Sequence, residues 1–401
     1  MTDLLAPSGT VHWIGAGLST GSGLTAVRDA ARQVRLWHRG VERAEESLAR
    51  LGLSGSVAPR AFTRDALSAE LAPGDVVVSM LPTSEHAELL RLCVGRGAHF
   101  ACTSYVSDAV QALVPAAEEA GTVVLAEAGL DPGIDHLFAH SLVGRARAAL
   151  GDGPARIRFT SYCGGIPAVP NDFRYQFSWA PRGVLSALRA PARHVADGVQ
   201  VTVDRPWEAA TRHTVLDETF EVYPNRDSVP FIAQYGLPPD WRADTFVRGT
   251  LRLDGWLSAW EPVFTELRGG DDARIAALAD DLAARYPTTV DDRDRVVLTV
   301  SLDVRTDSGE HWEGGYLLDT TGDATESAMA RCVSRPLALG VGQILRGGLP
   351  AGLTRAARGA EESERALAQL AANGVAFTRN VPDPVLSARA VGNRAIPVCD
   401  Q

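Results

Sequence analysis

The chain has 401 residues, with 39 basic and 49 acidic side chains and a formal net charge of −10, long enough for two domains that each bury a core. Apolar residues make up 45% and charged residues 22%, the balance of an ordinary globular protein. The acidic charge, with no long basic run, disfavours a nucleic-acid or anionic-membrane partner. All 39 basic residues are arginine, so Schiff-base catalysis, covalent pyridoxal phosphate, a Walker lysine and a lysine general base are excluded.

No apolar stretch reaches the length of about 18 residues that a membrane span needs. The first residues, Met1 to Leu4, carry no charged segment ahead of an apolar one, so a cytoplasmic protein is expected. The five cysteines, Cys93, Cys102, Cys163, Cys332 and Cys399, show no CxxC and no paired spacing. Neither a disulfide framework nor a metal cluster is expected from them.

In chain order, residues 11–17 read as a short buried strand breaking into a glycine turn. Residues 24–33 have helical spacing, and a second strand follows at 34–37. The β-branched run 75–81 ends at Pro82, residues 87–95 are helical, and further short strands fall at 99–103 and 121–126. This alternation predicts an α/β fold: a Rossmann-type, doubly wound parallel sheet over residues 1–130. After Gly129 the texture changes to apolar runs between turn-rich segments, at 157–162, 201–203, 219–223 and 296–304. An α+β domain with a mixed sheet is expected over 131–324. Helices are expected at 327–347 and 361–372, and the segment from about 325 to 401 is expected to pack back on the first domain.

The turn Gly15-Ala16-Gly17-Leu18-Ser19-Thr20-Gly21 follows a strand and opens a helix. Gly15 permits a tight turn, and Gly17 lets the backbone approach a pyrophosphate. In this context the turn is read as a dinucleotide site rather than a glycine turn that binds nothing. The second strand ends Trp37-His38-Arg39 with no carboxylate before Glu42. An acidic residue there would favour NAD, whereas an arginine meets the 2′-phosphate of NADP. NADP(H) is therefore favoured, with NAD(H) as the alternative; a solvated loop arginine is the plainer reading of Arg39.

The blocks Gly129-Leu130-Asp131-Pro132-Gly133, Cys163-Gly164-Gly165-Ile166-Pro167 and Phe177-Ser178-Trp179-Ala180-Pro181-Arg182-Gly183 stand in this order, with Tyr223-Pro224-Asn225-Arg226 and residues 245–252 beyond them. Together they resemble the saccharopine dehydrogenase family, in its L-glutamate-forming branch, from Gly15 to about Gly347. Gly21 and Gly23 depart from that pattern. The resemblance implies NAD(P)-dependent oxidation of saccharopine to L-glutamate and 2-aminoadipate 6-semialdehyde, or the reverse, in lysine metabolism. It implies substrate contacts at or beside Ser104, Tyr105, Asp131, Cys163, Gly164, Phe173, Arg174, Arg226 and Thr250. It places cofactor contacts at Gly15, Gly17, Leu18, Ser19, Thr20, Arg39, Leu81, Pro82 and Thr83, and it suggests a homodimer.

The residue chemistry agrees with a tri-acid ligand, because Arg174 and Arg226 can each grip one carboxylate bidentately. Asp131 is read as the acceptor for the substrate ammonium and as a manager of protons, against the alternative of capping a helix that starts near Pro132. Cys163 is read as a small wall and not a nucleophile. His86 is a candidate proton relay or a core-satisfied histidine, and His136 is expected to pack or cap. Two rival readings remain: a carboxynorspermidine-type dehydrogenase, whose polyamine would demand pocket carboxylates, and a non-catalytic NADP(H)-sensing protein.

Overall fold

A computed structural model describes residues 3–287 and 292–379 of the chain; Cys399 and the end of the C-terminal segment lie outside them. The first lobe runs β1 (Thr10–Ile14), α1 (Gly23–Ala30), β2 (Gln33–His38), α2 (Val41–Arg50), β3 (Ala58–Ala61), α3 (Arg64–Glu70), β4 (Val76–Ser79), α4 (His86–Arg96), β5 (His99–Cys102), α5 (Asp108–Gln111), α6 (Val114–Glu119) and β6 (Val123–Leu125). These strands form a parallel sheet in the order β6-β5-β4-β1-β2-β3, the doubly wound arrangement. A parallel sheet is covered on both faces, which is why its strands are apolar without alternation. Val76 and Val78 turn to one face with Leu24 and Val27 of α1, while Val77 turns to the other with Leu89 and Leu90 of α4.

α7 (Ile134–Leu150) leaves this lobe, and every residue from 134 to 143 is buried. The second lobe contains β7 (Ala155–Pro167), α8 (Pro181–Arg189), β8 (Ala192–Ala196), β9 (Val199–Val203), β10 (Thr211–Val215), β11 (Glu218–Pro224), α9 (Pro230–Gln234), β12 (Trp241–Leu253), α10 (Trp256–Gly269), α11 (Asp272–Arg285), β13 (Asp294–Thr306) and β14 (His311–Thr321). The chain then forms α12 (Ala328–Leu345), β15 (Gly352–Thr354), α13 (Ala360–Ala372) and β16 (Thr378–Arg379). The second sheet is mixed: β12 and β7 are parallel, and their other neighbours run antiparallel. One face of it, with Phe159, Leu298, Val300 and Tyr316, packs on α7, α12 and α13. β15 pairs with β6 and extends the first sheet, while Leu337, Val341 and Ile344 of α12 join the core shared with α1.

The α/β class and the mixed second sheet agree with the expectation. The strand over residues 157–162 proves to be the middle of a 13-residue strand, β7. Seven strands without a strand expectation, β3, β8, β10, β12, β14, β15 and β16, also appear. β12 hides because its buried face carries Arg248, Thr250 and Arg252 beside Phe246, which reads in sequence as a solvated face.

Candidate active site

The loops at the carboxyl ends of β1, β4, β5 and β6 open into a crevice, the position where open α/β sheets place ligands. Gly15 has φ +112°, and a Cβ there would lie 3.0 Å from the Cβ of Met80, so the turn after β1 demands glycine at that point. A Cβ on Gly17 would meet nothing within 4 Å. Among the described residues, the N–H groups of Ala16, Gly17, Leu18 and Ser19 donate to no protein acceptor. The Thr20 hydroxyl is consumed within the turn, donating to Gly15 O at 3.0 Å and accepting from Trp13 Nε1 at 3.3 Å. Thr20 thus shapes the turn and is buried beneath it. The exposed donors and the open face over Gly17 fit a dinucleotide pyrophosphate. Arg39, directly after β2, is exposed and has no ion-pair partner among the described residues. Leu81, Pro82 and Thr83 follow β4 at the same end of the sheet.

Beside these loops is a cavity of about 300 Å³. Ser19, Thr83, Ser104, Tyr105 and Asp131 line it from the first lobe; Cys163, Gly164, Arg226, Thr250 and Arg252 line it from the second. Met329 and Val333 of α12 complete the wall. Cys163 and Thr250 are register partners of adjacent parallel strands, and a Cβ on Gly164 would fall 2.2 Å from Leu251 O. The structure therefore brings most of the expected substrate positions into one lining.

Phe173 and Arg174 are not in that lining. Asn171 hydrogen-bonds the backbone of Tyr175 through both amide atoms, and the turn puts Arg174 at φ +54°. That geometry sends Phe173 inward, stacked between Tyr286 and Trp260 at centroid distances of 4.0 and 4.9 Å. It leaves Arg174 exposed, so the expected pair of Arg174 and Arg226 is not assembled. Arg226 lies over the Tyr105 ring, 5.1 Å from its centroid.

The second guanidinium in the wall is Arg252, which sequence reasoning passed over. It is 6% exposed and stacks on Tyr175 and Tyr223 at 4.9 and 5.8 Å. Its Nη1 donates to Leu251 O at 3.1 Å, the Tyr223 side chain hydrogen-bonds it, its Nε has no partner, and no carboxylate pairs with it among the described residues. A buried charge is ordinarily paired.

Asp131 is held instead by protein groups. Its Oδ1 accepts from the Tyr105 hydroxyl at 2.6 Å and from Arg248 Nη2 at 2.7 Å. The same Nη2 reaches Asp135 Oδ2 at 2.5 Å. Burial pushes the Asp131 carboxyl up, the Asp135 charge adds to that, and Arg248 and Tyr105 oppose it without reversing it. Asp131 caps no helix: Gly133 is the N-cap of α7, and Asp135 Oδ1 accepts its N–H at 2.7 Å.

Behind Asp135 the charge network continues. His136 is buried, stacked on Phe231, and paired through Nδ1 with the Tyr235 hydroxyl at 2.9 Å. Its Nε2 lies 3.3 Å from Glu127 Oε2, which also receives Gln234 Nε2 at 3.0 Å and faces Arg355 Nε at 3.2 Å. Burial pushes the Glu127 carboxyl up, but His136, Arg355 and Gln234 outweigh it and hold it at about 2. His86 is buried between Ser79 Oγ at 3.1 Å and Ser104 Oγ at 2.9 Å, and burial pushes its imidazole down to about 4. Burial and the Asp131 charge raise the Cys163 thiol well above its usual range, so it stays protonated.

The sequence matches two family models, the saccharopine dehydrogenase NADP binding domain over residues 11–125 and the saccharopine dehydrogenase C-terminal domain over 129–375. It is 38% identical over 254 residues to saccharopine dehydrogenase [NADP(+), L-glutamate-forming] of Pyricularia oryzae, a match spanning 62% of this chain and 55% of that protein. The enzyme of the same name from Saccharomyces cerevisiae is 39% identical over 197 residues, covering 48% of this chain and 43% of its own length. The matches thus span about half the length of these curated relatives. Among solved structures, apo saccharopine dehydrogenase (L-Glu forming) from Saccharomyces cerevisiae superposes with a TM-score of 0.76 at 24% identity, covering 92% of this chain and 99% of that one. A homospermidine synthase from Legionella pneumophila shares the fold at a TM-score of 0.59 and 11% identity, covering 100% of this chain and 96% of its own.

Proposed function

The chain belongs to the saccharopine dehydrogenase family, and from that premise we propose that it is an NADP(H)-dependent oxidoreductase acting on a CH–NH donor. The proposed reaction is oxidation of saccharopine to L-glutamate and 2-aminoadipate 6-semialdehyde, or the reverse, in lysine metabolism. The observation that carries this reading is Arg252, a buried guanidinium in the wall of the crevice that has no counter-ion among the described residues. Saccharopine has three carboxylates, and one of them is the counter-ion this site lacks.

The oxidised nicotinamide, when bound, supplies the hydride acceptor. The proposed holders of the dinucleotide are the N–H groups of the Gly15–Ser19 turn for the pyrophosphate, Arg39 for the 2′-phosphate, and Leu81, Pro82 and Thr83 for the nicotinamide half. Arg226 and Arg252 bind and orient the substrate carboxylates. Loss of hydride from the carbon beside the secondary nitrogen leaves an imine; water adds to it, and the carbon–nitrogen bond breaks to release glutamate. Asp131, with Tyr105 hydrogen-bonded to it, is the group in the lining that holds and passes a proton. The polyamine reading fits less well, because the one lining aspartate is already paired with Arg248.

Residues 1–130 and 131–324 are proposed as cofactor and substrate domains. Of the later elements, β15 and the C-terminal half of α12 join the first, whereas α13 and β16 pack on the second, against the expectation that the whole segment from about 325 returns to the first. The protein is further proposed to be a cytoplasmic homodimer; no described helix is long and apolar enough to cross a membrane. The test is to incubate the purified protein with saccharopine and NADP+, or NAD+ in a parallel assay, and to follow the absorbance of reduced nicotinamide. A signal that requires both is expected. Silence with either cofactor, and silence in reverse with glutamate and the semialdehyde, returns the NADP(H)-sensing reading to the front.

A further inference from the structure

Gly21 and Gly23 flank Ser22 at the entry to α1, and neither has a positive φ that would by itself demand glycine. Both meet the segment leading into α12 and its first turns, more than 300 residues away. Glu326 Oε1 accepts from Ser22 N at 2.5 Å, and Ser334 Oγ accepts from Gly23 N at 3.0 Å. Arg335 Nε donates to Ser22 Oγ at 2.7 Å. A Cβ on Gly21 would sit 2.1 Å from Glu326 Oε1, and one on Gly23 would sit 2.1 Å from Ser334 O. At Gly23 the obstacle is backbone, so only glycine allows so close an approach; at Gly21 a Cβ would displace the Glu326 carboxylate from Ser22 N.

The first N–H groups of a helix are the usual anion donors of this fold. Here α1 begins at Gly23, and the donors at its start already face an intramolecular carboxylate and a hydroxyl. The unused donors are those of residues 16–19, on the exposed part of the turn. α12 is itself anchored from the second sheet. Asp294, at the start of β13, accepts from Ala328 N at 2.7 Å and Met329 N at 2.8 Å. The same helix then presents Met329 and Val333 to the cavity. One rigid element therefore touches the substrate wall and grips the base of the cofactor turn.

We propose that Glu326 and Ser334 are positioning residues that clamp the α1 N-terminus to α12, so that the cofactor phosphates are bound by the turn's own N–H groups and not by the helix end. This inference rests on the dinucleotide reading given above. It assigns Glu326 a favourable part in cofactor binding although its charge repels phosphate, because it fixes the turn from the far side. Removing that charge while keeping the shape thus loosens binding, whereas a carboxylate contesting the phosphate position would give the opposite sign.

The experiment is fluorescence titration of NADPH onto the cofactor-free full-length protein, for wild type, Glu326→Gln and Ser334→Ala, with a thermal melt of each. Loss of one charge-assisted contact predicts an NADPH Kd raised about tenfold for Glu326→Gln, and loss of a neutral one predicts roughly threefold for Ser334→Ala. The KM for saccharopine is expected to move less than the Kd for NADPH in both. A lowered melting temperature with unchanged Kd would reduce the contact to packing and overturn the proposal. Tighter NADPH binding in Glu326→Gln would overturn it as well. If Glu326→Gln does not fold, Ser334→Ala carries the test. Wild-type protein that binds no NADPH would overturn the dinucleotide reading itself, while wild-type binding with unaffected variants removes the clamp alone.

Discussion

Arg248 and Arg252 stand four residues apart on the same face of β12, both more than nine-tenths buried, yet their surroundings are opposite. Arg248 is shared by Asp131, Asp135 and the Tyr105 hydroxyl, and its guanidinium lies 4.1 Å from the Phe231 ring centroid. Arg252 faces aromatic rings and the cavity, with no carboxylate paired to it among the described residues. The lesson is that burial alone does not mark a functional arginine. A buried cation with its anions in place is part of the architecture, and one whose anion is missing marks where a ligand anion goes.

This contrast predicts opposite phenotypes. Arg248→Met leaves two buried carboxylates uncompensated and is expected to lower unfolding stability by about 3–5 kcal/mol, read by urea denaturation. Glu127 belongs to the same saturated region. Its folded value of about 2 lies below its ordinary 4.5, so its contribution is present above about pH 4.5 and is lost as pH falls toward 2. Integrated, that shift amounts to about 3 kcal/mol. Glu127→Gln is expected to be less stable at neutral pH and to show a shallower acid transition in that window; an unchanged acid limb would remove Glu127 from the network.

On the unsaturated side, Arg252→Met is expected to lower kcat/KM for saccharopine roughly a hundredfold, about 2.7 kcal/mol, chiefly through KM. Its thermal midpoint should hold or rise, because an unpaired buried charge is removed. A large loss of stability there would erase the distinction between the two arginines. Arg39→Ala is expected to cost NADP+ use about 2 kcal/mol, one charge-assisted contact, and to spare NAD+, as kcat/KM with each cofactor will show. The smallest change is Cys163→Ala, expected to cost less than about 1 kcal/mol in kcat/KM because a protonated thiol serves only as wall.

The two lobes differed in how far their sequence could be read. The 75–81 run is β-branched and apolar because its strand is covered on both sides, so composition and local structure agree. β12 resists the same reading: alternating Arg248, Thr250 and Arg252 look like a solvent face, and only the tertiary structure shows that α7 and the cavity cover them. Arg174 misleads in the other direction. It stands in a family-like block beside buried Phe173, and a positive φ fixed by Asn171 turns it outward. Asp131 was found because Asp-Pro after a Rossmann strand is a local signal, but its partners Arg248 and Asp135 depend on long-range packing.

The claim at the centre of this account is that Arg252 awaits a carboxylate brought by the ligand. Crystals of the protein grown with saccharopine and NADP+ test it directly. The account predicts a substrate carboxylate at about 3 Å from the Arg252 guanidinium nitrogens, forked where geometry allows. A ligand seated in the crevice with every carboxylate beyond about 5 Å, and Arg252 bonded to water alone, would contradict it.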